Sequence, residues 1–116
     1  MTKSEKNLAP QKLSFSSEAR RDLKGIQDYI AEEKENPQSA IKVVERILDK
    51  IEDILKMPNS GTMLSPRVNF ETNYRYRRAA GYHIFYRYEK NQIFVDRIIH
   101  GRRDYISILF PKADED

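Results

Sequence analysis

The sequence predicts an α+β protein in which a helical hairpin packs on one face of an antiparallel sheet. The expected order is β-α-α-β-β-β, followed by a short C-terminal element. Three observations lead there. First, Tyr82 to Tyr88 and Ile93 to His100 are runs rich in Ile, Val, Phe and Tyr. A few polar residues centred on Lys90-Asn91 separate them, and Asn tolerates the left-handed backbone of a tight hairpin turn. Second, Ala40, Val44, Ile47, Ile51 and Ile54 step by four, three, four and three, the spacing of one helix face. Third, the break before that helix, Asn36-Pro37, is so short that the two flanking helices fold back on each other. A sheet with one apolar face needs cover, and the helical hairpin is the element available to supply it.

In chain order, residues 1–12 are polar, lack periodicity and are expected to form a flexible extension. Lys12 to Phe15 form a short strand. Ser16 or Ser17 supplies an N-cap, with Glu18 in the first turn favoured by the helix dipole. Ala19, Leu23, Ile26 and Ile30 then recur at helical spacing to about Lys34, with Tyr29 beside them. Gly25 weakens this helix by about 1 kcal/mol relative to Ala and marks a close packing contact. Asn36 and Pro37 serve as N-cap and first residue of the second helix, where proline's missing N–H costs nothing. Ile41, Leu48 and Leu55 form a second row on its flank, which either widens the core stripe or lines an exposed groove for a partner.

The second helix ends near Met57-Pro58, and the two prolines and one glycine of Met57 to Phe70 make that stretch a loop. Tyr74 to Arg78 alternates as a strand. A three-residue connection, Ala79-Ala80-Gly81, puts Tyr74 and Tyr76 beside Tyr86 and Ile84 on the apolar face. Arg75 and Arg77 then join Phe85 and His83 on the other. A two-residue turn would drive both arginines into the core and is rejected on that ground. With the turn at Lys90-Asn91, Tyr88 pairs with Ile93, Tyr86 with Val95, Ile84 with Arg97 and Tyr82 with Ile99. Arg97 is the misfit of that face, and must reach the rim or pair with a helix carboxylate. The opposite face carries His83, Phe85, Arg87, Phe94, Asp96, Ile98 and His100. Tyr105, Ile106, Leu109 and Phe110 pack back as a short helix or end segment, and residues 111–116 form a solvated acidic tail. The whole reads as a single domain over residues 13–110.

The 116 residues suffice for one core but not two. No cysteine is present, which excludes disulfides, thiolate metal sites and a cysteine nucleophile. The two histidines, His83 and His100, are too few to indicate zinc, and no glycine-rich phosphate loop or nucleophile elbow occurs. No metal or cofactor is expected. No apolar run is long enough to cross a bilayer, and the first twelve residues lack the apolar segment of a signal peptide, so a cytoplasmic location is expected.

The net charge of +3 conceals a division. Met1 to Pro66 is balanced, whereas Arg67 to Arg103 holds nine Lys and Arg against three Asp and Glu, and eight of those nine cations are arginine. Arginine's planar fork suits phosphate and carboxylate recognition, which points to an acidic partner, nucleic acid or polypeptide. For a charge run alone, a solvated polar face would be the plainer reading, but the one-sided strand spacing favours a partner.

The run RIIHGRRDYISIL, preceded by GYHIFYRY, resembles the C-terminal half of the RelE/ParE superfamily of type II toxin–antitoxin toxins. Within it, the ParE-like, plasmid-stabilisation branch is the better match. HGRRD is the most specific piece, and the resemblance runs from about Leu13 to Phe110. It implies a prokaryotic toxin with the same two-layer fold, which arrests growth and forms a hetero-oligomer with a cognate antitoxin. The ParE branch acts by binding and inhibiting DNA gyrase. The RelE branch cleaves mRNA on the ribosome, and an inactive relative serving as an interaction module is the third alternative.

Candidate target- or nucleic-acid-binding residues are Arg75, Arg77, His83, Arg87, His100, Arg102, Arg103 and Tyr105. With Asp96, such a set is able to cleave RNA without metal: arginines hold the charge developing on phosphate while a base and an acid move protons. His100 is the candidate acid or base, since its reference pKa of about 6.5 lies near working pH. Its plainer role is to hydrogen-bond the turn at Gly101. Asp104 is expected to cap the next segment or pair with Arg102 or Arg103, and His83 to be a surface histidine beside Phe85. Two departures weigh against the nuclease. His83 stands where RNase members present arginine, and their late tyrosine position falls near Ile108, with Tyr105 offset by about a turn.

Overall fold

The caps at Ser16 and Asn36 and the turn at Lys90-Asn91 form as expected. In a computed structural model that describes residues 12–111, the elements follow as β1 (Lys12–Phe15), α1 (Ser17–Lys34), α2 (Pro37–Lys56), β2 (Thr62–Met63), β3 (Arg75–Ala79), β4 (Tyr82–Glu89), β5 (Gln92–His100) and α3 (Tyr105–Leu109). Apart from Lys12 and Pro111, the expected extension and acidic tail lie outside the described residues. Ser16 caps α1, its Oγ accepting from the Ala19 N–H at 2.9 Å. Glu35 ends that helix at a left-handed φ of 49°, and Asn36 caps α2 by accepting from the Gln38 N–H at 3.0 Å. The sheet order is β1-β5-β4-β3-β2, with β1 parallel to β5 and the other neighbours antiparallel. The edge strand β2 interrupts the stretch expected to be all loop.

Two registers differ from those expected. The β4–β5 hairpin turns on Lys90 and Asn91, both at positive φ, and pairs Tyr88 with Ile93 and Tyr86 with Val95 as expected. A β-bulge then leaves Asp96 without a cross-strand partner. Beyond it Phe85 faces Arg97, Ile84 faces Ile98, His83 faces Ile99 and Tyr82 faces His100. One inserted residue turns over every later side chain. Ile98 therefore joins the core under the helices and Ile99 the opposite side, the reverse of the expected assignment. Arg97 meets Asp22 of α1 at 2.9 and 3.0 Å, the helix carboxylate it required.

The β3–β4 connection is the two-residue turn, with Ala80 and Gly81 at φ 54° and 86°. Ala79 pairs with Tyr82, Arg77 with Ile84, Tyr76 with Phe85 and Arg75 with Tyr86. Arg75 and Arg77 thus share the helix side of the sheet with Ile84 and Tyr86, and Tyr76 lies on the other. The objection to this register was two arginines in an apolar core, and they avoid it. The polar turn after α2 meets them instead: Arg75 Nη1 donates to the carbonyls of Asn59 (3.2 Å) and Gly61 (3.0 Å), and Arg77 Nη1 to Ser60 Oγ (2.6 Å).

The main core joins Ala19, Ile26 and Ile30 of α1 and Ala40, Ile47, Ile51 and Ile54 of α2 to Ile84, Tyr86, Ile93, Val95 and Ile98 of the sheet. Leu55 packs against it, but Ile41 and Leu48 remain 40% and 41% exposed, so the second row of α2 is not core. Gly25 marks no close contact, since a Cβ there would meet nothing within 4 Å. Tyr86, fully buried, anchors the turn after α2: its hydroxyl donates to the Pro58 carbonyl and accepts from the Gly61 N–H, each at 2.8 Å. Gly61 has ordinary extended backbone, so space requires the glycine and φ does not. A Cβ at that position would stand 2.5 Å from the tyrosine oxygen.

The other sheet face is closed as well. Leu64, Tyr76, Phe85 and Ile99 form a second, smaller core, capped by Tyr105, Ile108, Leu109 and Phe110. His83 is buried there at 6% exposure, its ring 5.1 Å from Tyr76, 5.7 Å from Phe85 and 4.8 Å from Tyr105, rather than lying on the surface as expected. Its Nδ1 has no hydrogen-bond partner. Burial pushes the His83 pKa down, aided by the charges of Arg78, Arg67 and His100.

Two outcomes are expected. Gly61→Ala should destabilise the fold by about 1–3 kcal/mol through overpacking against Tyr86. Tyr86→Phe should recover part of that loss in the double variant, because the clashing oxygen is gone. Denaturant unfolding of the full cycle measures this, and strictly additive losses would refute the contact. The second outcome concerns pH. The folded His83 pKa lies below the unfolded value, so the unfolded chain binds more protons and stability falls as pH drops. The melting temperature should therefore decline as pH falls through the unfolded value of about 6.5. His83→Phe should flatten that decline, and an unchanged slope would assign it to other groups.

Candidate functional site

The candidate residues do not share one face; the fold distributes them among three places. Arg75 and Arg77 are occupied by the turn after α2. Arg87 sits at the hairpin end of β4, half-buried, where its Nε donates to Asp96 Oδ2 at 2.8 Å and its Nη1 to Glu89 Oε1 at 3.0 Å. Its guanidinium also lies 4.7 Å over the Phe94 ring. The hydrogen bond to Asp96 raises the Arg87 pKa further above its ordinary value. Tyr74 donates to the same Asp96 oxygen at 2.8 Å, and burial together with that bond pushes the Tyr74 pKa up. Asp96 is thus engaged by two donors and is not poised as a base. Asn73 holds Glu89 from the outside through its side-chain amide.

The third group, His83, His100, Arg102, Arg103 and Tyr105, converges where β5 ends. Pairing of Tyr82 with His100 brings the β3–β4 turn beside the turn after β5, and the Gly101 N–H donates to the Gly81 carbonyl at 2.9 Å. His100 Nδ1 accepts from the Arg102 N–H at 3.0 Å, which is the turn-holding role and sets which ring nitrogen is free. The His100 ring meets Tyr82 edge-on at 5.1 Å. Tyr105 opens α3 with its ring against His83 and Phe85, at 4.8 and 5.2 Å. Asp104 caps that helix, accepting from the Ser107 N–H at 3.3 Å and the Ser107 hydroxyl at 2.8 Å. Arg102 and Arg103 are exposed, and neither is in an ion pair among the described residues.

Two clefts meet at His100 and Arg102. One, of about 760 Å³, runs between α2 and the two turns; its walls bring in Arg46, Lys50 and Arg78, which were not among the candidates. The signal for α2 was present in the sequence: Arg46, Asp49, Lys50 and Asp53 recur at helical spacing, on a face other than the apolar stripe. The other cleft, of about 590 Å³, lies between α1 and the end of β5, where Gly25 leaves room beside Arg21, Tyr29, Tyr82 and Arg103. Chemically this end of the molecule offers an arginine-rich rim with two aromatic-backed histidines. Among the described residues no group of His, Cys, Asp or Glu is arranged to hold a metal ion, and no helix is long and apolar enough to cross a membrane.

The architecture has a known counterpart. The chain is similar to a chain of the chromosomal ParDE toxin–antitoxin system from P. aeruginosa, with a TM-score of 0.65 at 20% identity, over 81% of this chain and 97% of that one. A chain of the RelBE2 toxin–antitoxin complex from Mycobacterium tuberculosis aligns at 19% identity and a TM-score of 0.49, over 78% of this chain and 98% of that one. At 20% identity the likeness to the P. aeruginosa chain is one of fold. No curated protein sequence gives a significant match. The family model for the ParE toxin of the type II toxin–antitoxin system parDE matches residues 13–105, from β1 to the first residue of α3. With that model spanning both helices and the strands they cover, the chain belongs to the ParE toxin family, within the RelE/ParE superfamily.

Proposed function

We propose that this toxin arrests growth by binding and inhibiting DNA gyrase, and that a cognate antitoxin neutralises it by docking on the helical hairpin. The family model over residues 13–105 carries this reading. Features of the rim favour binding over hydrolysis. The sheet face where a nuclease would present its groups is closed by α3, and His83 is buried beneath Tyr105. His100 spends Nδ1 on the Arg102 backbone. Arg102 and Arg103 remain exposed, and an arginine-bearing rim suits an acidic surface of a partner. For the antitoxin, Ile41 and Leu48 form an apolar strip on α2, and an acidic amphipathic segment would bury it while answering nearby cations.

Purified toxin added to gyrase-driven plasmid supercoiling should inhibit it, while mRNA on ribosomes stays intact. Reversing Arg102 and Arg103 to Glu should weaken inhibition by about tenfold or more, because it inverts the charge of the binding surface. His100→Ala should act more mildly, through the turn. Codon-phased mRNA cuts that vanish with His100→Ala would replace this reading with the nuclease. The antitoxin surface has its own test. Ile41→Asp with Leu48→Asp should shift stability by no more than about 0.5 kcal/mol per site, as exposed positions do. It should nonetheless abolish neutralisation by the co-expressed antitoxin, and normal neutralisation would move the docking surface elsewhere.

A further inference from the structure

We propose that the cleft between α2 and the two turns is a binding site for a phosphate monoester of nucleotide size. Its volume, about 760 Å³, falls within the range of roughly 300–1,000 Å³ typical of small-molecule sites. Arg46 and Lys50 reach it from α2, Arg78 from β3 and Arg102 from the turn after β5. Against these four cations stand Asp49 and Asp53, and Asp53 is drawn to Lys50 at 3.9 Å. Among the described residues Arg46, Arg78 and Arg102 form no ion pair. Guanidiniums converging on one cleft repel each other, and an anion removes that cost. Their planar forks match phosphate oxygens two at a time.

A second observation points the same way. His83 lines this cleft, and its Nδ1 is the one buried side-chain polar atom among the described residues that lacks a hydrogen-bond partner. Burying such an atom without a partner is costly, and native structures rarely tolerate it without a reason. Gly101 lies against that edge of the ring. A Cβ at that position would stand 3.2 Å from Nδ1 and 3.1 Å from Cε1. The missing side chain lets the turn lie close to the imidazole at the wall of the cleft, and a shift of the turn would present Nδ1 to a ligand oxygen. Arg78 and Arg102 flank the same opening. The site goes beyond the gyrase reading, with which it shares only Arg102.

Calorimetric titration of the full-length chain, with no gyrase present, tests it independently of that reading. Adenosine 5′-monophosphate should bind and adenosine should not. Arg46→Glu and Arg78→Glu should each weaken binding by about tenfold or more, the effect expected of a lost charge-assisted hydrogen bond. Both positions are exposed, and an unchanged melting temperature confirms the fold; Arg78→Gln serves if charge reversal lowers it. Gly101→Ala should also weaken binding, by holding the turn away from His83. Short single-stranded DNA with and without a 5′-phosphate identifies the source. Tighter binding of the phosphorylated strand than of the mononucleotide assigns a nucleic-acid end, and weaker binding assigns a free nucleotide. Equal affinity for adenosine and its monophosphate, or affinity unchanged by both arginine reversals, would overturn the proposal.

Discussion

The bulge at Asp96 turns the far half of β5 over, and contacts from three elements answer it. Past the end of β1 the edge of β5 has no strand beside it, and side chains from the start of α1 take that place. Ser16 Oγ donates to the Asp96 carbonyl at 2.7 Å, and Asp22 Oδ2 accepts from the Ile98 N–H at 2.8 Å. The same Asp22 holds the Arg97 guanidinium, so one carboxylate satisfies both a strand edge and a half-buried cation. A carboxylate removed from water needs that many donors to be tolerable. On the other side of the strand, the Asp96 carboxylate gathers Arg87 and Tyr74. Were the hairpin regular, Ile98 would leave the main core and Ile99 would enter it, and the two cores would exchange residues.

Both faces of the sheet are covered. The helices cover one and α3, with the segment around Leu64, covers the other. The exposed Arg78, Arg102 and Arg103 lie at the rim, where strands end and turns meet. Backbone there is held by the Gly101 to Gly81 hydrogen bond and by His100, so the arginines of the rim project from a braced platform. Such a platform suits recognition of a charged surface, since little ordering of the backbone remains to be done on binding.

The two histidines show how environment divides one residue type into different roles. His83 is surrounded by aromatic rings and pushed toward the neutral form by burial and neighbouring cations. His100, half-buried and paired across the strands with Tyr82, keeps a ring nitrogen in a turn hydrogen bond. Neither has a carboxylate hydrogen-bonded to its ring among the described residues, the arrangement by which a general base is usually oriented.

Local chemistry was legible in the sequence wherever it acts over a few residues. Ser16 and Asn36 as caps, Pro37 at a helix start, the turn at Lys90-Asn91, the apolar stripe of α2 and the Asp104 cap are all set by short-range hydrogen bonding and spacing. Family membership, carried by the run from His100 to Asp104 and its flanks, was legible as well. What the sequence left open depends on contacts between residues far apart in the chain. The bulge at Asp96 gains from Ser16, Asp22, Tyr74 and Arg87 together, and none of these is its neighbour. The two-residue turn at Ala80-Gly81 is tolerable only because the loop after α2 supplies carbonyls and a hydroxyl to Arg75 and Arg77. Arg46 and Arg78 meet across a cleft that exists once α2 lies beside the strand ends. Periodicity reports which residues share a face of one element; a single inserted residue moves a strand's later side chains to the opposite face, and tertiary contacts alone decide whether it is inserted.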